Sequence, residues 1–171
     1  LKVQSALPEL PAALTDVLLP STAWIRSEEP LNYRHKAIFL PKIWRKGLEL
    51  GAYARRSHEV VALPRCEVIT PALRDARDVL RKALQNPVLA QRLALRSVIL
   101  RANAAGQVLA TLILRQPIAS SRGAQSELVD LAESLIAGPS PLVGLHVQVH
   151  DAEGDAVSGS GPVTRIGGGD Y

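Results

Sequence analysis

The fold of this chain is decided by residues 33–55, which read YRHKAIFLPKIWRKGLELGAYAR. Tyr33 to Trp44 predicts a β-strand, because large apolar residues are interleaved there with basic ones. Arg45-Lys46-Gly47 is typical of a tight turn, and Leu48 to Arg55 predicts a returning strand with apolar residues at alternate positions. The stretch therefore predicts a β-hairpin that carries several cations.

Strand and helix patterns continue beyond this hairpin. Val60 to Leu63 predicts a short third strand, and a helix is predicted to begin at Thr70, which can cap it, with Pro71 in the first helical position. The remaining predictions are two strands joined by a turn, a helix, a strand and a short final strand, over Leu95–Arg101, Val108–Arg115, Gln125–Ala137, Leu142–His150 and Val163–Ile166. This order predicts an α+β fold with a largely antiparallel sheet and two or three packed helices.

Length and composition limit the class of protein. The 171 residues suffice for one domain or two small ones, and 47% hydrophobic with 21% charged residues is ordinary for a globular protein. No apolar run approaches the roughly 18 residues of a membrane helix, so we expect no membrane partner. The single cysteine, Cys66, excludes an internal disulfide and indicates a reducing, cytoplasmic compartment.

The chain contains no methionine, even at position 1, which predicts a segment of a longer protein. Leu14, Val17 and Leu18 have helical spacing in the first part of the chain. We therefore expect an N-terminal helical segment over residues 1–25 and a central α+β domain over residues 26–171.

Charge is distributed unevenly along the chain. Residues 26–101 contain 16 Lys and Arg against 7 Asp and Glu, whereas residues 102–171 contain 3 against 7. Such polarity is expected of a protein that presents one face to a polyanion. A solvated basic surface without a nucleic-acid partner is the alternative.

No complete active site can be assembled from the reactive side chains. His146 and His150 are four residues apart on a predicted strand, which separates them by more than about 12 Å and disfavours a shared metal. The glycine clusters at 159–161 and 167–169 lack the following helix of a phosphate-binding loop, so we expect turns or linker there. We therefore expect that this chain alone is not an enzyme.

Aromatic residues are interleaved with the cations of the basic segment, at Tyr33, Phe39, Trp44 and Tyr53. Bases of single-stranded RNA stack on aromatic rings while phosphates contact cations, so this pattern favours RNA binding. In the alternative interpretation, at least half of these aromatics belong to the core, Phe39 first among them, and the cations only solubilise the surface.

Three blocks of this region stand in a recognisable order: YRHKA at residues 33–37, GAYARRSHEVV at residues 51–61 and PRCEVITPAL at residues 64–73. They resemble the central region of the RNA uracil-5-methyltransferases. In that family a strand of pattern Y/F-R-x-K leads to a segment with a Ser-His pair, two valines, a cysteine and a proline. The match covers about 40 residues and preserves the spacing between the blocks.

The resemblance implies an enzyme that uses S-adenosylmethionine to methylate C5 of a uridine in tRNA or 23S rRNA. In the family a catalytic cysteine adds to C6 of the base, and a general base then removes the C5 proton. Those residues and the methyl-donor site lie in a C-terminal Rossmann-like domain that nothing in this sequence matches. We therefore expect the catalytic methyltransferase domain of the same parent chain as one partner.

Charge and resemblance together predict RNA, either rRNA or tRNA, as the other partner. The cationic and imidazole side chains that we expect to contact it are Arg34, Lys36, Arg55, Arg56, His58 and Arg65. In a different class of function, the chain is a non-catalytic structural or protein-interaction module that does not bind RNA.

Many relatives also bind a [4Fe–4S] cluster, with three cysteines near the N-terminus and a fourth in the matched segment. Cys66 occupies this fourth position, with Glu67 in place of the usual following proline. The other three cysteines are absent, so we expect no cluster in this chain alone.

Overall fold

The computed structural model describes residues 29–44, 47–118, 122–150 and 162–168. The chain divides into two compact units, Leu1–Pro30 and Leu31–Tyr171, and the helices and strands described below belong to the second. The helical segment predicted over residues 1–25 lies outside the described residues, as do Arg45 and Lys46 of the predicted turn.

Seven strands and three helices follow one another along the described part of the chain. Most of them agree with the sequence patterns to within three residues at each end. Their bounds are β1 Lys36–Trp44, β2 Gly47–Tyr53, β3 Val60–Ala62, α1 Pro71–Ala83, α2 Pro87–Arg92, β4 Leu95–Ala102, β5 Val108–Leu114, α3 Arg122–Ala137, β6 Leu142–Val149 and β7 Val163–Gly168.

The strands form one sheet in the order β3-β2-β1-β4-β5-β6-β7. Neighbouring strands are antiparallel except β5 and β6, which run parallel. A parallel pair needs a long connection, and α3 supplies it between β5 and β6. The predicted α+β fold with a largely antiparallel sheet and packed helices is therefore confirmed.

One face of the sheet packs against α1 and α3. Phe39 on β1 pairs with Val98 on β4, which pairs with Leu112 on β5, and Leu112 pairs with Val147 on β6. All four belong to one hydrophobic cluster that includes, from the helices, Leu73, Ala76, Leu80, Leu128, Ala132 and Leu135. Strands β1, β4, β5 and β6 therefore contribute alternate positions, and α1 and α3 contribute their apolar stripes, to a common core.

Residues directed to the opposite face of the central strands are also buried. Ser97, Ile99, Thr111 and Ile113 are no more than 4% exposed. The middle of this face is consequently not an open binding platform. Within the described residues, no helix is long and apolar enough to cross a membrane.

Two features differ from the sequence patterns. The short helix α2 was not predicted, because six residues are too few to show a helical period. Gly167 and Gly168, expected in a turn or linker, lie in β7 instead. A Cβ at Gly167 would lie 3.0 Å from the Ala132 Cβ, so the glycine lets α3 approach the sheet closely.

Candidate nucleic-acid interface

Two of the three sequence blocks lie side by side through backbone hydrogen bonds. Asn32 N donates to Glu67 O at 2.8 Å, Arg34 N donates to Val68 O at 2.8 Å, and Thr70 N donates to Arg34 O at 3.2 Å. The segment that precedes β1 therefore runs beside the segment that precedes α1, with Arg34 and Ile69 in a parallel bridge.

The start of α1 is fixed by the residues that the sequence indicated. Thr70 Oγ1 accepts a hydrogen bond from Leu73 N at 3.4 Å, and Pro71 occupies the first turn. Because Thr70 also donates its own N–H to Arg34, the helix cap and the entry to β1 share one residue.

Strand register brings Lys36 directly opposite Arg101, and both side chains are exposed. Since β2 is antiparallel to β1, it runs from Gly47, opposite Trp44, back towards the start of β1. The pairing of the two strands ends at Leu40 and Gly51, and the turn after β2 follows two residues beyond. We call two groups of exposed basic side chains together the basic end: Arg34, Lys36 and Arg101 at the start of β1, and Arg55, Arg56 and His58 in the turn after β2.

Most cations of the basic end are not neutralised by neighbouring acids. Within the part of the chain that the structure describes, Arg34, Lys36, Arg55 and Arg56 have no carboxylate within ion-pair distance. Glu59 is the acid nearest in sequence to Arg55 and Arg56, and it is paired with Lys42 at 3.4 Å. The basic end therefore presents a positive potential to solvent, as a polyanion-binding surface requires.

Arg65 lies on the exposed loop between β3 and α1. It too has no carboxylate partner among the described residues. Of the six residues predicted to contact RNA, five belong to the two groups of the basic end, and Arg65 lies on the loop before α1. The sequence did not indicate Arg101 as a contact residue, because only the pairing between β1 and β4 brings it opposite Lys36.

The aromatic residues divide between surface and core. Phe39 is 2% exposed and belongs to the core, whereas Tyr33 is 56% and Tyr53 is 44% exposed. The side chain of Trp44 lies outside the described part of the structure. Of the three aromatic side chains that the structure describes here, two therefore remain accessible, and both lie in the matched blocks.

Three arginines of α1 serve the fold rather than the surface. Arg74 Nη1 donates to Cys66 O at 3.2 Å, Arg77 donates to the carbonyls of Leu63 and Pro64, and Arg81 pairs with Glu49 at 3.3 Å. Together they hold β2 and the loop after β3 against the helix.

Arg77 carries a charge, yet its side chain is only 4% exposed. Its position four residues after Leu73 and three before Leu80 puts it on the buried face of the helix. Its charge is balanced there by Asp78, at 2.9 Å.

Cys66 packs half-buried against the core. A [4Fe–4S] cluster needs four ligands of this kind, and the chain contains one cysteine, so its residues do not fit a self-contained cluster. Among the described residues, no three His, Cys, Asp or Glu side chains are grouped as a metal site would require. His146 lies within β6 and His150 directly follows it.

Two clefts open beside α1 and α3, and their charges are paired internally. The first, of about 280 Å³, lies between β2 and α1 and contains the Arg81–Glu49 and Arg77–Asp78 pairs. The second, of about 460 Å³, contains the Arg92–Glu127 pair at 3.1 Å. Neither brings a nucleophile together with a general base.

Comparison with known proteins gives a likeness in fold. No protein-family model and no curated protein matches the chain. The structure is similar to the Pyrococcus abyssi tRNA (uracil-54, C5)-methyltransferase, solved with S-adenosyl-L-homocysteine, with a TM-score of 0.52 and 13% identity. The match covers 80% of this chain and 32% of that one, so the chain spans about a third of the length of that enzyme. Its fold therefore resembles part of an RNA C5-methyltransferase.

Proposed function

We propose that this chain is the RNA-binding and RNA-positioning domain of an S-adenosylmethionine-dependent RNA (uracil-C5) methyltransferase that acts on rRNA or tRNA. The observation that carries the proposal is the basic end, whose exposed basic side chains come from separate segments of the chain. Among the described residues, Arg34, Lys36, Arg55 and Arg56 have no carboxylate within ion-pair distance, and the same sequence blocks expose two tyrosines. The fold likeness to part of a tRNA methyltransferase supports it.

In this function the cations contact phosphates and fix the orientation of a folded RNA. A uridine flipped out of its stack then reaches the catalytic domain of the same parent chain. That domain supplies the nucleophile and binds S-adenosylmethionine, while the residues described here bind and orient. The parent enzyme would work in the cytoplasm, where a lone cysteine such as Cys66 stays reduced. Ligation of an iron–sulfur cluster by Cys66 in the parent stays a prediction.

Fluorescence anisotropy with labelled tRNA and an rRNA hairpin, over a series of salt concentrations, tests the function. Affinity should fall steeply with salt because phosphate contacts release counterions. Arg55→Ala/Arg56→Ala should weaken binding and reduce the salt slope by about 2.

The matched control is Lys82→Ala/Arg115→Ala, which removes the same charge from exposed positions. Lys82 lies in the last turn of α1, three residues before Gln85, whose carbonyl oxygen would lie 3.7 Å from a Cβ at Gly47. Arg115 directly follows the end of β5. Both sites therefore lie away from the basic end. Equal loss of affinity in both double variants would overturn the proposed site. A chain that binds neither RNA would favour the protein-interaction module instead.

A further inference from the structure

The turn between β2 and β3 is held in one conformation by its own hydrogen bonds. Ala54 N donates to Glu59 O at 2.8 Å, and Ser57 N donates to Ala54 O at 3.1 Å. Ser57 Oγ accepts from Glu59 N at 2.8 Å. We call residues 53–59 the hairpin tip. Because its backbone is already ordered, a ligand that binds there pays a smaller entropy cost.

A tyrosine ring is fixed at the base of the hairpin tip. The ring centroids of Tyr53 and His58 are 5.4 Å apart with an interplanar angle of 73°, an edge-to-face arrangement. Tyr53 is nevertheless 44% exposed. A ring that is both oriented and accessible has the properties of a stacking platform for a nucleobase.

Arg56 adopts a backbone conformation that disfavours arginine. Its φ is +57°, in the left-handed region that glycine enters without steric cost. The side chain is exposed and, within the described ranges, has no acidic partner that would explain its presence. Non-glycine residues in this conformation cluster at ligand-binding sites, and this one carries an exposed cation.

Lys42 stabilises the base of the hairpin tip and removes the nearest negative charge from it. Its Nζ donates to Val60 O at 3.0 Å and pairs with the Glu59 carboxylate at 3.4 Å. The two consecutive arginines of the tip, Arg55 and Arg56, are thereby left as its dominant charges. Tyr53 thus offers one stacking surface, and Arg55 and Arg56 add two cations in the same turn.

We propose that the hairpin tip is a preorganised site for an unpaired nucleotide of single-stranded RNA, in which Tyr53 stacks on the base and Arg55 and Arg56 contact the flanking phosphates. This inference rests on the RNA-binding function proposed above and narrows it to unpaired RNA. Perfect duplex presents no base face to stack on, so the tip discriminates between the two forms.

The test uses the full chain with two labelled probes, a 12-nucleotide oligouridylate and a blunt RNA hairpin with a fully paired stem closed by a short non-nucleotide linker. Tyr53→Leu should lower affinity for oligouridylate by about 5- to 150-fold, since it removes the stacking ring but keeps apolar bulk. Tyr53→Phe should keep the affinity. Binding to the paired stem should change less than about twofold in either variant.

Arg56→Gly separates a functional role from a structural one. Relief of the left-handed backbone should raise the thermal unfolding midpoint by about 2 to 4 °C, while loss of the cation weakens oligouridylate binding. A purely structural residue would not move stability and affinity in opposite directions.

The outcomes distinguish the two proposals. If the unaltered chain binds tRNA but neither probe, the site at the hairpin tip is overturned and the broader function stands. If it binds neither the probes nor tRNA, both are overturned. If it binds RNA but Tyr53→Leu lowers affinity for both probes equally, or for neither, the site is overturned and the broader function stands. An unchanged affinity of Arg56→Gly for oligouridylate would likewise contradict the site.

Discussion

The guanidinium carbon of Arg77 lies 5.9 Å from the centroid of the Phe39 ring, between α1 and the sheet. From there the guanidinium donates to the carbonyls of Leu63 and Pro64 and pairs with Asp78. A single buried cation thus joins the helix, the first strand and the loop that leads to Arg65. Arg77 therefore holds the start of the loop that contains Arg65 and Cys66 against the helix.

Arg77→Met should lower the free energy of unfolding by about 2 kcal/mol, because two carbonyl groups lose their donor in a partly buried place. Urea unfolding followed by circular dichroism measures the change. Lys82→Met on the same helix is the control, since this exposed residue should change stability by less than about 0.5 kcal/mol. Equal unfolding midpoints for the two variants would contradict the structural role of Arg77.

Gly51→Ala should destabilise the fold strongly. A Cβ at Gly51 would lie 2.0 Å from the carbonyl oxygen of Val61, and backbone atoms cannot move aside at low cost. We expect a loss of about 2 to 3 kcal/mol in the free energy of unfolding, measured in urea.

Gly106→Ala provides the control for this contact. Its φ is +78°, but a Cβ there would meet nothing closer than the Ala72 Cβ at 3.9 Å. Gly106→Ala should therefore lower the free energy of unfolding by only about 1 kcal/mol, which is the conformational cost of placing a side chain at positive φ. Gly51→Ala unfolding at the same urea concentration as Gly106→Ala would show that β3 does not approach β2 as described.

Lys36→Glu should stabilise the fold and weaken RNA binding at the same time. Lys36 and Arg101 are directly opposite across β1 and β4, where like charges repel and opposite charges attract by about 0.5 kcal/mol. A carboxylate at position 36 should also repel phosphates and make the salt dependence of binding to tRNA shallower. Thermal unfolding and anisotropy titrations measure the two effects, and Lys36→Gln should give intermediate values of both. A loss of stability in Lys36→Glu would contradict the pairing.

Thr70→Val should cost about 1 kcal/mol of stability, because the variant keeps the branched shape but loses the hydroxyl that caps α1. Thr70→Ser keeps the hydroxyl and should lose less. Chemical denaturation of the three proteins provides the comparison. If Ser and Val destabilise equally, the hydroxyl does not act as the cap.

Local patterns predicted most of the fold correctly. The strand over Lys36–Trp44, the returning strand β2 and the capped helix α1 depend on residues within a few positions of one another, so sequence periodicity reveals them. The short helix α2 and the glycines of β7 did not follow local rules. Their conformations depend on packing against other elements, such as the approach of Ala132 to Gly167.

Part of the candidate site could be predicted, because most of its residues lie in short local sequence blocks. The cations of the matched blocks are visible in the sequence, and five of the six predicted contact residues lie at the basic end. The place of Arg101 could not be predicted from the sequence, because it depends on the pairing of β1 with β4. The buried role of Arg77 could not be predicted either, because it depends on which face of α1 meets the sheet. Charge in a sequence does not distinguish a cation that binds a ligand from one that supports the fold.

The sequence by itself determined the hairpin over residues 33–55, the cap at Thr70, the concentration of positive charge and the scarcity of reactive groups. Tertiary structure alone decided that β1 lies between β2 and β4, which sets Lys36 against Arg101. It also decided that β5 and β6 run parallel and that Arg77 is buried beside Phe39. The physical reason is range: hydrogen-bonding periodicity acts between near neighbours in the chain, whereas strand order and burial follow from the joint packing of distant segments on one core.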